Sequence, residues 1–432
     1  MKRSERRMSG SSLSYRHSLL VILQQLSGTV LGILVGVVLA RMLSTAAFGE
    51  YNAAFGAMMI VQTFASLGAS GFITVPFRRA ITSGEFRVAR GLRRWIPLCI
   101  ILSGIFAFGI VFTAHVVYGS NSAVRVQSFA AVLATVPLVA LASYLVSTAS
   151  SLGAAGRAIF ISRPLEKILL LLGLGLYWLL GSDSFDVLDA AAVWAATILV
   201  ICIALWRLNR TVEHPDFKKG VLETEWSAWA KGAFPYLLSG VVGIVLSMAP
   251  FIILGWISVN GEEAAMYSAA FRLGAILSVA GSAAAAIFRP AIADAIEAGS
   301  RQEYRKLIRS WLLLVGPATV IGLALIMIFG DTLLGFFGEA YRKAYWLLVV
   351  VSATFGLKHL ASIFLSVNQY AGSRKAITSI SVFWTLIGLA AMVVMGKYWQ
   401  TMGIAFAQGG AFLGMYLTYV FRASVLTKRS LR

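Results

Sequence analysis

Twelve long runs of mostly apolar residues dominate this sequence. Each approaches the roughly 20 residues that a helix needs to cross the hydrocarbon core of a bilayer. Because that core offers no water to backbone amides and carbonyls, a spanning segment must bond its own backbone, as a helix does. We therefore predict an all-α membrane protein with about twelve transmembrane helices. The runs are 18–40, 52–75, 95–117, 128–152, 168–182, 190–206, 234–257, 267–288, 311–329, 346–367, 377–395 and 402–421.

The overall composition agrees with a membrane protein. Hydrophobic residues make up 59% of the chain and charged residues only 13%, with a mean hydropathy of +0.81. Soluble domains carry about 25% charged residues. The two cysteines, Cys99 and Cys202, lie in separate apolar runs without metal-ligand spacing, so neither a disulfide framework nor a zinc site is expected. We expect no cofactor.

The lysines and arginines predict the topology. Thirty of the 37 fall in alternate connecting segments, as the positive-inside rule requires of cytoplasmic loops. Both termini are then cytoplasmic, and the first run is a retained helix because it is too long for the core of a signal peptide. The net charge of +19 is thus a topology signal, and no nucleic-acid partner is expected. The basic segments are 1–17, 76–94, 153–167, 207–233, 289–310, 368–376 and 422–432.

The two halves of the chain repeat at an offset of 216 residues. Tyr51–Phe55 (YNAAF) matches Tyr267–Phe271 (YSAAF), and Gly156 matches Gly372. A third match pairs Arg90, Arg93 and Trp95 with Lys306, Arg309 and Trp311. Six helices per copy, an even number, would leave both copies inserted the same way up, as in parallel transporter repeats. We predict a lobe at 1–206, a cytoplasmic linker at 207–233 and a second lobe at 234–432, related by a pseudo-twofold axis along the membrane normal.

Several short motifs resemble one known family. They are Leu39–Leu43 (LARML), Phe48–Tyr51 (FGEY), Tyr267–Leu273 (YSAAFRL), Phe337–Tyr341 (FGEAY) and Ala371–Lys375 (AGSRK). Together these are similar to the polysaccharide biosynthesis (O-antigen flippase-like) family of the multidrug/oligosaccharidyl-lipid/polysaccharide exporter superfamily. The resemblance runs over nearly the whole chain, and twelve helices fit the lower end of the family's range.

The resemblance implies a flippase of the bacterial inner membrane. Its substrate would be an undecaprenyl-pyrophosphate-linked oligosaccharide repeat unit for a surface polysaccharide, such as lipopolysaccharide or exopolysaccharide. Membrane lipids and this lipid-linked substrate would be its partners, together with the polysaccharide polymerase and the chain-length machinery.

Polar residues within the apolar runs, together with Arg41 directly after the first run, are the candidate substrate-binding residues. A charged side chain at the bilayer centre costs roughly 2.5–3.5 kcal/mol on insertion scales, so it needs a reason to be there. Cationic groups would attract a pyrophosphate, and arginine adds bidentate geometry. The candidates are Lys358, Arg272, Arg41, His359, Gln24, Gln25 and Gln62.

Each of these candidates also has a purely structural interpretation. Arg41 and Arg272 are near enough to the outer surface for their side chains to reach lipid phosphates. Lys358 can pair with a backbone carbonyl, and His359 can be a hydrogen-bonded packing residue that points about 100° away from Lys358. The three glutamines can form interhelical hydrogen bonds.

Three further arginines are candidates for guiding the headgroup into the protein from the cytoplasmic side. Arg78 and Arg79 lie in the basic segment 76–94, and Arg157 follows Gly156. The alternative for the basic segments is an amphipathic helix resting on anionic lipid headgroups.

Two other functional classes remain open. A cation-coupled multidrug exporter of the same superfamily generally uses a buried carboxylate, and none of the twelve runs contains Asp or Glu. A membrane glycan polymerase or ligase needs acid and base groups on a long outer loop. The predicted outer loops are short, and the Asp183, Asp186 and Asp189 cluster has the spacing of a solvated turn. We therefore expect a transporter, not an enzyme.

Overall fold

The computed structural model describes residues 2–118, 123–180, 184–212, 224–257 and 261–430. Sixteen α-helices account for most of these residues. They are α1 (Lys2–Met42), α2 (Thr45–Ala65), α3 (Ala69–Phe72), α4 (Thr74–Thr82), α5 (Phe86–Tyr118), α6 (Ala123–Leu133), α7 (Val136–Ser151), α8 (Ala155–Phe160), α9 (Glu166–Leu179), α10 (Val187–Thr211), α11 (Trp226–Ile257), α12 (Glu262–Gly274), α13 (Leu277–Glu297), α14 (Arg301–Phe337), α15 (Tyr345–Ala371) and α16 (Arg374–Ser430).

Helices occupy most of each predicted apolar run, and residues 181–182 of the fifth run lie outside the described residues. Eight described helical spans are long and apolar enough to cross a bilayer, and two bent helix pairs raise the number to ten. Helix α16 is 57 residues long and has non-helical dihedral angles at Trp399 and Gln400, so it contains two of the predicted runs. Helix α9 has only 14 residues and continues from α8 through a π-helical turn at Ile161–Leu165. The prediction of an all-α protein with many membrane spans is confirmed.

The basic segments are more helical than a loop assignment implies. Helix α4 and the beginning of α5 occupy most of 76–94, while α13 and α14 extend over most of 289–310. Lysine and arginine favour helices intrinsically, and the headgroup region lets their charges reach water. The helices therefore continue beyond the apolar runs on the side predicted to be cytoplasmic.

Contacts between Cα atoms divide the chain into two compact units. Unit 1 comprises 1–35 and 58–241, and unit 2 comprises 36–57 and 242–432. The end of α1 and the beginning of α2 thus belong to the unit formed mainly by the second half of the sequence. The lobe boundaries at 206 and 234 stay a prediction, and residues 213–223 of the intervening linker lie outside the described residues.

Both repeats have a bend in their second span. The helical pair Thr45–Ala65 and Ala69–Thr82 is bent by 57°, and the pair Glu262–Gly274 and Leu277–Ala285 by 42°. At the first bend the backbone takes positive φ at Leu67 (52°) and Gly68 (71°). At the offset of 216 residues the second bend comes several residues earlier than the first, so the two copies share a bent span but not the position of the bend.

We expect Gly68→Ala to lower the thermal stability of the protein more than Gly84→Ala does. Both glycines have similar positive φ, 71° and 76°, which costs an L-residue roughly 1–2 kcal/mol. Only at Gly68 would the new Cβ also meet backbone, 2.5 Å from the amide nitrogen of Leu237, whereas Gly84 has open space. Thermal unfolding of both purified variants in detergent measures the difference. Equal losses would contradict tight packing at the bend.

Candidate functional site

Lys358 lines an apolar cavity in unit 2. It lies at the midpoint of α15, thirteen residues from either end. The cavity, about 350 Å³, is enclosed by α15 and the part of α16 that follows the break. The Lys358 Nζ is 4.4 Å from the ring centroid of Phe412 and 5.9 Å from that of Phe355. Ring faces attract cations, so aromatic rings stabilise this ammonium group while leaving its N–H donors available.

Two glycines on α16 shape the surroundings of Lys358 in different ways. At Gly409 an added Cβ would lie 2.7 Å from the Thr354 hydroxyl oxygen, so this glycine allows α15 and α16 to approach closely. At Gly410 nothing lies within 4 Å. Thr354 already donates its hydroxyl to the Val350 carbonyl, at 3.0 Å. Among the described residues that line the cavity, Lys358 is the charged residue and there is no carboxylate.

His359 belongs to different surroundings. A Cβ added to Gly281 of α13 would lie 2.7 Å from the His359 Cβ, so the imidazole points toward α13. Lys358 instead faces α16, through Phe412. Consecutive helical residues point about 100° apart, and here that angle places the two side chains against different helices. The structure therefore does not bring Lys358 and His359 into one site.

Arg272 is held by a network of neutral oxygens in unit 2. Its Nη2 donates to the Asn52 Oδ1 at 3.1 Å, and its Nε donates to the Ser268 Oγ at 3.2 Å. The Ser268 hydroxyl donates to the same Asn52 oxygen at 2.7 Å. Asn52 and Ser268 are only 3% and 1% exposed. Gly36 leaves room for the arginine, because a Cβ there would lie 2.6 Å from the Arg272 Cδ.

Asn52 and Ser268 occupy equivalent positions of the internal repeat, 216 residues apart. Their hydrogen bond joins α2 to α12 at a point where each copy contributes the same position. A contact of this kind is expected where a local twofold axis passes between two copies of a helix. We did not predict either residue as part of a site, although both lie in the matched YNAAF and YSAAF segments.

Lys358 and Arg272 lie on neighbouring helices of unit 2, with aromatic rings between them. Phe271, next to Arg272, contacts Phe355, near Lys358, with ring centroids 5.1 Å apart. Phe271 also packs on Phe251, at 5.2 Å. The helices that carry the two cations thus pack through aromatic rings, and a charge in such an apolar setting interacts with an anion more strongly than it would in water.

Arg41 stabilises the end of a helix. Its Nε donates to the Phe336 carbonyl at 2.8 Å and its Nη2 to the Gly335 carbonyl at 2.8 Å. These carbonyls belong to the last turn of α14, which has no further helical N–H donors and carries the negative end of the helix dipole. This arrangement favours a capping role for Arg41.

The predicted glutamines lie in different places. Gln24 and Arg157 share a cavity of about 460 Å³ in unit 1 with Phe160, and the Gln24 Oε1 is buried with no hydrogen-bond partner among the described residues. Gln25 accepts a bond from Thr29 only through its backbone carbonyl. The structure thus unites one predicted substrate-binding residue with one predicted headgroup-guiding arginine.

The remaining candidates are Gln62, Arg78 and Arg79. Gln62 donates to the Thr63 hydroxyl at 3.2 Å, within α2. Arg78 and Arg79 are exposed on α4, whose opposite face buries Phe77 and Ala80. An amphipathic helix of this kind has the form of one that rests at a membrane interface.

The comparisons with known proteins identify the class of the fold. The structure is similar to a multidrug resistance MATE family transporter of the MOP superfamily in an inward-facing conformation, with a TM-score of 0.72 and 14% identity over 95% of this chain and 99% of that one. It is equally similar to the lipid II flippase MurJ in an inward closed conformation, with a TM-score of 0.72 and 12% identity over 94% and 87%. A MOP superfamily transporter from Pyrococcus furiosus, described as having a binding pocket of reverse polarity, gives a TM-score of 0.64 at 14% identity over 95% and 96%.

The family follows from the sequence match. The model of the polysaccharide biosynthesis protein family matches residues 14–295, about two thirds of the chain. The protein belongs to this family, and the predicted resemblance is confirmed. It is a multi-pass membrane protein with the fold of the MOP superfamily transporters. Comparison with curated proteins gives no significant match.

We expect Asn52→Leu to destabilise the protein more than the double variant Asn52→Leu with Arg272→Met. The single change removes one acceptor of the half-buried Arg272 guanidinium and keeps the charge, and loss of a hydrogen bond to a charged group costs about 1–3 kcal/mol. The double variant removes the charge as well. Thermal unfolding in detergent gives the order of stability, with Ser268→Ala as the milder comparison. A double variant less stable than Asn52→Leu would contradict this account of the network.

Proposed function

We propose that this protein flips undecaprenyl-pyrophosphate-linked oligosaccharide repeat units across the bacterial inner membrane. It would carry them from the cytoplasmic to the outer leaflet by alternating access, for the synthesis of a surface polysaccharide such as lipopolysaccharide or exopolysaccharide. The family match supports a role in polysaccharide biosynthesis, and the fold shared with a lipid II flippase supports movement of a lipid-linked substrate. Both termini would face the cytoplasm, where a polymerase and chain-length proteins are further candidate partners.

The observation that carries this proposal is the Lys358 cavity. An ammonium group at the midpoint of α15 is held against the Phe412 ring, and the described lining contains no carboxylate. An uncompensated cation in an apolar setting is costly, so a structural role alone would favour its loss. An anionic headgroup would offset that cost when the substrate is bound. We assign the pyrophosphate to Lys358.

The other candidates take supporting roles in this proposal. Arg272 lies on the adjacent α12. It would bind the second phosphate by replacing one of its neutral oxygen partners with an anionic phosphate oxygen. Arg41 caps α14. Gln24 would contact sugar hydroxyls beside Arg157. His359, Gln25 and Gln62 are not among the described residues that line the Lys358 cavity and would contact the substrate at other points of its path, with Arg78 and Arg79 guiding the headgroup from the cytoplasmic surface.

A cation-coupled multidrug exporter is the second candidate function. The observation in its favour is the MATE-like fold, which is evidence of architecture alone. Lys358 argues against it, because a positive charge in the cavity would repel cationic drugs. A polymerase or ligase activity has less support, since the similar structures are transporters and a flippase.

We expect Lys358→Ala to reduce flipping at least tenfold. The substitution removes the charge that would hold the pyrophosphate, and one charge-assisted hydrogen bond of about 1.5–3 kcal/mol corresponds to roughly a 10- to 150-fold change in affinity. The assay uses purified protein in liposomes that carry a lipid-linked oligosaccharide. It measures how fast sugars from the inner leaflet become accessible to an external glycosidase.

Two matched variants make this result interpretable. Lys358→Arg keeps the charge and should retain part of the activity, while Lys397→Ala removes an exposed lysine of α16 and should behave as wild type. Normal flipping by Lys358→Ala would refute the assigned role. No flipping by wild type, even with an ion gradient and a membrane potential, together with uptake of cationic dyes, would favour the drug exporter instead.

A further inference from the structure

Unit 1 contains a second, larger cavity with a different chemistry. Its volume is about 630 Å³, and it is enclosed by α5, α7 and α10. Four arginines line one end, and the rest of the lining is mostly apolar. No carboxylate is present among the described lining residues. The arginines are Arg90, Arg93, Arg94 and Arg210.

The cavity reaches from the arginines into the hydrocarbon region. On α5 the lining extends from Arg94 to Ile101, which is about 10 Å along a helix. On α10 it extends from Arg210 to Leu199, about 16 Å. Half of a hydrocarbon core is about 15 Å. The cavity therefore matches the depth of one leaflet, with its cationic end at the level of the headgroups.

An aromatic residue marks the same level. Trp206 lines the cavity and is 50% exposed. The Arg210 guanidinium lies over its ring, 5.1 Å from the centroid. Tryptophan is enriched where the headgroups meet the hydrocarbon core. This pair places the mouth of the cavity at that boundary, on the side that the positive-inside rule assigns to the cytoplasm.

The uncharged polar side chains of the cavity are already bonded within the protein. The Tyr144 hydroxyl donates to the Leu92 carbonyl at 3.1 Å, and the Asn209 Nδ2 donates to the Leu145 carbonyl at 3.0 Å. Thr148 donates to the Leu145 carbonyl, also at 3.0 Å. These groups offer little to a sugar. The lining suits a phosphate at the arginines and a hydrocarbon chain beyond them.

We propose that this cavity is a binding site for an anionic phospholipid of the cytoplasmic leaflet, separate from the transported substrate. The arginines hold the lipid phosphate, and the apolar part of the cavity, with Pro97, Leu141 and Ile203, holds the upper part of an acyl chain. A bound phospholipid fills the space between α5 and α10, and its phosphate balances charge at the exposed Arg94 and Arg210. It therefore stabilises unit 1.

This site belongs to the first repeat alone. At the offset of 216 residues, Arg90 and Arg93 correspond to the basic residues Lys306 and Arg309 of α14. Arg94 and Arg210, in contrast, correspond to Ser310 and Leu426. The second copy thus lacks half of the cationic cluster. Its two retained basic residues, which match Arg90 and Arg93, provide a control variant that removes the same number of charges outside this cavity.

The test is native mass spectrometry of the delipidated full-length protein with phosphatidylglycerol or phosphatidylcholine of the same acyl chains. Wild type should bind one phosphatidylglycerol in preference to phosphatidylcholine. Arg94 and Arg210 are exposed, so R94Q/R210Q should fold. Each basic residue near an anionic lipid contributes about 1 kcal/mol, so this variant should bind phosphatidylglycerol about thirtyfold more weakly. K306Q/R309Q should keep the wild-type affinity.

Further measurements separate the possible ligands. Phosphatidylglycerol brominated on its acyl chain should quench wild-type tryptophan fluorescence more than that of Trp206→Phe, which places the lipid at this cavity. Equal weakening in both double variants, or no preference for phosphatidylglycerol, would overturn the proposal. Displacement of the lipid by micromolar undecaprenyl pyrophosphate would also overturn it in favour of a substrate site. Displacement by inorganic pyrophosphate alone would mean that the site binds free phosphate groups and not a lipid, which would also overturn the proposal.

Discussion

The bilayer core forces every backbone amide and carbonyl to find a partner within the protein, and the architecture depends on how the chain meets this demand where its helices bend. At the first bend, Leu67 donates to the Phe64 carbonyl and Ala69 to the Ser66 carbonyl. At the bend in the second span of the second repeat, Ile276 donates to the Leu273 carbonyl. Tighter bonds between residues three apart thus replace α-helical bonds in both copies. The second span of each repeat can bend without exposing unpaired backbone to lipid.

Positive charge in or beside the apolar runs also has to be stabilised, and Arg41, Arg272 and Lys358 are stabilised in different ways. The positive charge of Arg41 is balanced by the carbonyls at the end of α14. Arg272 is surrounded by the neutral oxygens of Asn52 and Ser268. The described contacts of the Lys358 ammonium are with the rings of Phe355 and Phe412, which attract a cation without using its N–H groups. Of the three, Lys358 therefore has the most hydrogen-bonding capacity left for an anion.

Much of the fold could be predicted from the sequence because hydropathy and charge report directly on the membrane. The apolar runs predict the spans, whereas the bends within the second span of each copy were not predicted. The partners of single side chains could not be predicted. Arg41 and Arg272 look alike as cations near the ends of apolar runs, yet one contacts a helix end 295 residues away and the other an asparagine 220 residues away. One sequence carries no record of such distant contacts. Of these contacts, only the Asn52–Ser268 pair has a signal in the sequence, because both residues lie in the repeated segment.

The duplication gives the two halves one architecture, but their cationic sites differ. Lys358 corresponds to Ala142 at the repeat offset, so the first copy has no charge at the position that lines the unit 2 cavity. Conversely, Arg94 and Arg210 have no basic counterpart in the second copy. The intramembrane charge of Lys358, which is costly to insert, is therefore carried by one copy alone. The complete arginine cluster, which we place at the level of the headgroups, is carried by the other copy alone. According to our proposals, the second copy binds the headgroup of the transported substrate, and the first copy binds a phospholipid that is not transported.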